Sequence, residues 1–214
     1  MKRSQLLQIG CTALIALSCG AEAPTGVVLP ALLSEATAPA QSESVPAPLV
    51  DTPDPRHEAL VEFLAGRPTG LTRSELSDVA AAITEEVDRH DLDLQLILAL
   101  MYVESRYQTF IVSPVGAMGL MQILPATGEE LAHRLGIEWY GPETLFDPVV
   151  NVRLGITYVK QLTRRYGKVS TALAAYNWGM GTIDKRLRHG NPVPKVYPSL
   201  IMDAYHHTVL PVRS

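Results

Sequence analysis

The chain has 214 residues, 47% of them hydrophobic and 19% charged, enough for one ordinary domain with a proper core plus tails. Its net charge of −4 argues against nucleic acid as a partner, because no broad basic surface is available for phosphate contacts. No apolar run beyond the N-terminus is long enough to span a membrane, and both cysteines, Cys11 and Cys19, fall within the first twenty residues, so the mature domain forms neither an internal disulfide nor a Cys-based zinc site.

Residues 1–23 read as a targeting segment, with Lys2 and Arg3 as a positive start and Leu6 to Leu17 as a mostly apolar run broken by Gln8. Two exits are open. Ala16-Leu17-Ser18-Cys19 resembles a bacterial lipobox, with Ala16 where Leu is usual, and would make Cys19 the lipidated first residue of the mature chain. Ala21-Glu22-Ala23 suits ordinary signal-peptidase cleavage, although Pro24 is awkward just past the cut. Either exit predicts an exported, periplasmic protein, and the first adds an anchor in the outer membrane. Residues 24–70 read as a Pro/Ala/Ser-rich linker. Seven prolines from Pro24 to Pro55 rule out a helix or central strand, and a short helix over His57 to Leu64 is the one interruption.

Residues 71–214 read as a single helical domain, all-α with little or no sheet, because no stretch joins β-branched residues to period-two alternation. Thr72 and Glu75 have capping-box spacing, and Leu76, Val79, Ala80, Ile83 and Val87 follow at helical intervals. Asp93 is suited to cap the next helix. On its buried stripe Ile97, Leu100, Met101 and Glu104 recur at i, i+3, i+4 and i+7. A carboxylate there must pair or keep its proton. A carboxylic acid protonated near neutrality is what a general acid needs, whereas a buried Glu paired with a distant Arg is the plainer reading of this helix alone.

Residues 108–124 are loop-rich, with Pro114, Gly116 and Gly119. Pro125 opens a helix that stops at Gly136, and Asp147-Pro148 opens another that stops at Gly167. Ser170 is expected to cap a helix bearing Tyr176 and Asn177. Lys185, Arg186 and Arg188 read as a solvated helix face, and Pro198 starts the last helix, to about His207.

Three stretches stand in order: Glu104-Ser105-Arg106-Tyr107, the loop from Ser113 to Gln122 ending Gly119-Leu120-Met121-Gln122, and Ala175-Tyr176-Asn177-Trp178-Gly179. Together, over about 75–208, they resemble the soluble lytic transglycosylase family, peptidoglycan-cleaving enzymes of the lysozyme-like superfamily. The runs Leu145-Phe146-Asp147-Pro148 and Asn151-Val152-Arg153-Leu154-Gly155 look like the family's text between its second and third motifs. The resemblance implies a monomeric murein lytic transglycosylase without cofactor or metal, whose partner is the peptidoglycan glycan strand. It carries one catalytic acid onto Glu104. That acid would protonate the β-1,4 oxygen between N-acetylmuramic acid and N-acetylglucosamine, and the product would be a 1,6-anhydromuramyl end.

Ser113, Gly119, Met121, Gln122, Tyr176, Asn177 and Tyr197 are the substrate-binding residues the resemblance implies. Amides at Gln122 and Asn177 suit sugar hydroxyls and N-acetyl groups, and Tyr176 and Tyr197 offer an apolar face with a polar tip. Gly116, Gly119 and Gly181 would permit close backbone approach or positive φ. The chain departs from the family pattern at Leu124, where Met is common, at Trp178, where a small residue is common, and at Pro198 in the stretch resembling a Tyr-Val motif. A metal enzyme is disfavoured because no His-Glu-x-x-His occurs and His206-His207 are adjacent. A hydrolytic muramidase of the same fold and a catalytically silent wall-binding module are the remaining alternatives.

Overall fold

Local capping chemistry sets most helix ends in the computed structural model, which describes residues 55–208. The targeting segment, Cys19 and the proline-rich stretch before Pro55 lie outside the described residues. The helices are α1 (Pro55–Ala65), α2 (Arg73–His90), α3 (Leu94–Ser105), α4 (Pro125–Leu135), α5 (Pro148–Tyr166), α6 (Val169–Trp178), α7 (Met180–Arg188) and α8 (Val196–His207), with a 3-10 turn at Pro142–Phe146. Among the described residues there is no strand, and the isolated bridges Val112–Met118 and Met118–Ile123 lie in the loop between α3 and α4. The all-α expectation holds.

Thr72 and Glu75 close a reciprocal capping box on α2, and Asp93 accepts from the Gln95 amide at the start of α3. Asp147 accepts from the Val149 and Val150 amides ahead of Pro148, while Gly136 and Gly167, both at φ +68°, end α4 and α5. Ser170 is not a cap. With α5 ending at Gly167, α6 starts at Val169 after Lys168, and Ser170 lies inside its first turn. Helix α8 begins at Val196, so Pro198 sits in the first turn, where its missing N–H costs nothing.

The helical body begins earlier than residue 71. Helix α1 falls inside the expected linker, yet Leu60, Val61, Phe63 and Leu64 are buried in the main core. An eleven-residue helix is marginal alone, and α2 supplies the apolar partner. Ion pairs of Arg73 with Glu58 and Glu62 span the same junction, but at exposed positions that contribute little.

Helices α2, α3, α5 and α8 surround the core, with α8 along α3 and α5 along both α2 and α6. One charged group is buried in the α2–α5 contact. Glu86, 3% exposed, accepts from Arg153 at 2.6 Å and from Arg89 at 3.1 Å, with His90 at 3.3 Å. Paired on three sides, it fixes α5 against α2. That register presents Asn151 and Gly155 to the loop described next.

Candidate active site

Helix α3 runs Ile97, Leu100 and Met101 through the core at zero exposure and ends one residue after Glu104, which is half-buried at the core's edge. Ser105 closes the helix, its hydroxyl donating to the Met101 carbonyl at 3.1 Å. The chain then turns through Arg106 and Tyr107, at φ +53° and +64°, a left-handed pair that side chains other than glycine seldom adopt. Tyr107 is held there by burial, an edge contact with Phe63 and a hydrogen bond to the Leu98 carbonyl. These contacts fix where α3 stops, and hence where the carboxylate projects.

Tyr197, from the first turn of α8, is buried and donates its hydroxyl to Glu104 Oε1. Burial pushes the Glu104 carboxyl up from 4.5 to about 7, and the Tyr197 hydrogen bond holds it from rising further. Tyr176 belongs to the same cluster. The negative charge of Glu104 raises the pKa of both tyrosines, after burial as the larger cause, so each keeps its proton as a donor. The Tyr176 hydroxyl donates to the Met121 carbonyl at 2.7 Å, and its ring meets Tyr158 at 5.3 Å. One acid, two tyrosines and one loop are therefore brought together from four parts of the chain.

The loop itself is built on Asn151 of α5. This fully buried amide donates to the Met118 and Leu145 carbonyls and accepts from the Met121 N–H, at 2.8–2.9 Å. Gly119 is required beside it. Its φ is +79°, and a Cβ there would lie 2.2 Å from Asn151 Nδ2 and 2.6 Å from the Leu145 carbonyl. Met121 is a core residue at zero exposure, its thioether packed where a Cβ on Gly155 would stand 2.3 Å from Sδ. A substrate contact by the Met121 side chain is thus corrected to packing, because α5 approaches closely enough at Gly155 to cover it.

Gln122 turns inward. Its amide nitrogen donates to the Ile111 and Gly119 carbonyls at 3.2 and 3.0 Å, holding its own backbone at φ +48°. The carbonyl end of that amide is its remaining polar group. Ser113 is also half-buried and accepts from the Ala117 N–H at 3.0 Å, bracing the same loop. Asn177 and Trp178 are exposed at the end of α6. Gly116 has the expected positive φ, whereas Gly181 is an ordinary helical residue of α7 and Gly179 makes the left-handed step instead.

The structure thus joins Glu104 and Tyr197 directly, places Tyr176 within reach of the Glu104 charge and against the loop, and makes Ser113, Gly119, Met121 and Gln122 parts of the loop's framework. Sequence reasoning named Asn151 only within a family-like run and gave it no role. Its signal was present, since Asn151, Gly155, Val159 and Leu162 share the buried face of α5, and a lone amide on such a face is as conspicuous as Glu104 on its own. A separate cavity of about 630 Å³, lined by Asp91, Leu92, Lys160 and Arg164 among others, includes none of these groups.

Residues 81–194 match the family model of the transglycosylase SLT domain. A transglycosylase of Enterobacteria phage PRD1 is 33% identical over 126 residues, covering 52% of this chain and 44% of the relative. A membrane-bound lytic murein transglycosylase F of Desulfosudis oleivorans is 33% identical over 108 residues, covering 47% of this chain and 22% of the relative. The chain therefore spans less than half the length of these curated relatives. The solved structure of lytic transglycosylase Slt from Pseudomonas aeruginosa is similar at 29% identity and a TM-score of 0.48, over 58% of this chain and 20% of that one.

Proposed function

The chain belongs to the transglycosylase SLT domain family, and from that premise we propose that it is a murein lytic transglycosylase acting on peptidoglycan, with Glu104 as its acid and then its base. The observation that carries the proposal is the Glu104–Tyr197 pair, a carboxyl with a pKa of about 7 at the end of a buried stripe. At neutral pH about half the molecules hold the proton that the first step needs, and the group readily takes one back in the second.

In the first step Glu104 gives its proton to the bridging oxygen while the bond from that oxygen to the muramic C1 breaks. The carbonyl oxygen of the sugar's own 2-acetamido group bonds to C1 as N-acetylglucosamine leaves. In the second step the C6 hydroxyl oxygen attacks C1 and displaces the acetamido oxygen, and its proton passes to Glu104. No water is consumed, the enzyme regains its proton and the new end is 1,6-anhydromuramic acid. A single carboxyl suffices for this substrate-assisted route. Tyr197, donating to one carboxyl oxygen, leaves the other for the proton in transit.

The exposed Asn177 amide and the free carbonyl of the Gln122 amide are the groups proposed to meet sugar, with Tyr176 placing the loop against the acid. The proposal extends to export through residues 1–23 and to a lipid anchor at Cys19, which the membrane-bound name of one relative supports. Mass spectrometry of muropeptides from purified peptidoglycan tests the chemistry. Anhydromuramyl ends are expected. Reducing muramic ends alone would identify a hydrolytic muramidase, and no release at all a wall-binding module.

A further inference from the structure

The cavity that none of the catalytic groups line lies where four helices meet, at the end of α2, the start of α3, the last turns of α5 and the start of α6. Its volume of about 630 Å³ is that of a small-ligand site. Leu96 and Val169 give it an apolar lining. The turn between α2 and α3 contributes two carboxylates, Asp91 and Asp93, and α5 contributes two cations, Lys160 and Arg164. Two of these four charges are occupied within the fold. The Lys160 ammonium donates to the His90 carbonyl, and Asp93 accepts from the Gln95 N–H with one oxygen and from the Tyr205 hydroxyl with the other. Asp91 and Arg164 are exposed, and neither side chain hydrogen-bonds or ion-pairs with another described residue.

The Lys160 contact holds the end of α2 beside α5, and Arg164 follows one helical turn, about 5.4 Å, further along that helix. An acid and a base thus line one apolar cavity without pairing with each other, and this set selects a class of ligand. A simple anion would meet the two carboxylates, and a simple cation the two charges of α5. A metal ion needs several ligands, and among the described residues no group of three or more His, Cys, Asp and Glu side chains is placed to hold one. An uncharged apolar molecule would cover the charges without pairing them. A molecule with an ammonium at one end, a carboxylate at the other and aliphatic groups between matches the acid, the base and the apolar lining together.

We propose that this cavity binds a short peptide with free ends, its ammonium on Asp91, its carboxylate on Arg164 and its side chains against Leu96 and Val169. The site stands apart from the catalytic reading. Leu96 lies near the start of α3 and Glu104 near its end, about 12 Å away along the helix axis, and the two sites share no residue.

The test is an NMR titration of the full chain with the peptide Ala-Leu-Ala, and with the same peptide N-acetylated or C-amidated. The unmodified peptide should bind saturably and shift the amide signals of Asp91, Leu96 and Val169. Removing either end charge should weaken binding by about threefold, the order expected of a solvent-accessible ion pair. Asp91→Asn keeps a residue that tolerates the φ of +49° at this position, and it should no longer distinguish the acetylated peptide from the free one. Arg164→Gln should no longer distinguish the amidated peptide from the free one. Glu104→Gln should bind the peptide as wild type does, and both cavity variants should digest purified peptidoglycan at the wild-type rate, which separates failure of this inference from failure of the catalytic one. Absence of saturable binding, an affinity indifferent to capping, or cavity variants that respond to capping as wild type does would overturn the proposal. Loss of binding in Glu104→Gln would also overturn it, because that would move the peptide to the catalytic site.

Discussion

Replacing Glu104 by Gln should make the protein more stable than wild type, by an amount that grows with pH. In the folded chain, burial lifts this carboxyl from 4.5 to about 7. An acid with a raised folded pKa binds its proton more tightly when folded. Its contribution to stability is complete below about pH 4.5 and is lost as pH rises through about 7. The shift corresponds to roughly 3 kcal/mol at about 1.4 kcal/mol per pH unit, and because Glu104 keeps some solvent contact about 2 kcal/mol is the better expectation. The glutamine amide has no charge to desolvate, and its carbonyl can still accept from Tyr197. The variant should therefore match wild type near pH 4.5 and melt about 4–8 °C higher near pH 8.5, given about 2–4 °C per kcal/mol for a chain of this size. Thermal melts followed by circular dichroism at the two pH values, at one ionic strength, measure this. Peptidoglycan digestion by the same variant should fall by about 10²–10⁴, the usual worth of general acid catalysis. A melting difference that does not change with pH would refute the raised pKa, and near-normal digestion would refute the role of Glu104.

Tyr197→Phe removes the hydroxyl that restrains the Glu104 pKa, so the alkaline fall in activity should move to higher pH; a pH–rate profile with an unmoved limb would contradict the pairing. Gly155→Ala should cost about 1–3 kcal/mol by overpacking against Met121. Adding Met121→Ala should recover part of that loss, and strictly additive free energies from urea unfolding would show that the two residues do not share the space. Asn177→Ala should cut turnover about tenfold, or about 1.4 kcal/mol, without changing the melting temperature. Gln122→Ala should lower both, because its amide braces two loop carbonyls; activity loss alone at Gln122 would restore a purely ligand-binding role.

What the sequence determined by itself was whatever forms within about four residues. The Thr72–Glu75 box, the caps at Asp93 and Asp147, Pro125 at a helix start and the stops at Gly136 and Gly167 all rest on hydrogen bonds or backbone angles inside one turn, where no distant partner has a say. Glu104 was legible for a related reason, since a helix's 3.6-residue period places a carboxylate among apolar neighbours whatever the helix packs against. Where the surroundings mattered, the same reasoning fell short. Ser170 has the chemistry of a cap, but the end of α5 at Gly167 made α6 start before it. Gln122 has the chemistry of a sugar ligand, but the folded loop brings two carbonyls within its reach. Met121 and Gly119 take their roles from Gly155 and Asn151 on α5, and α1 joins the core because α2 offers it an apolar face. The pairing of Tyr197 with Glu104 spans 93 residues. Nothing in either local sequence sets the distance between those groups. It follows from how α8 packs along α3, and that packing is what turns a buried acid into one with a defined partner and a pKa near neutrality.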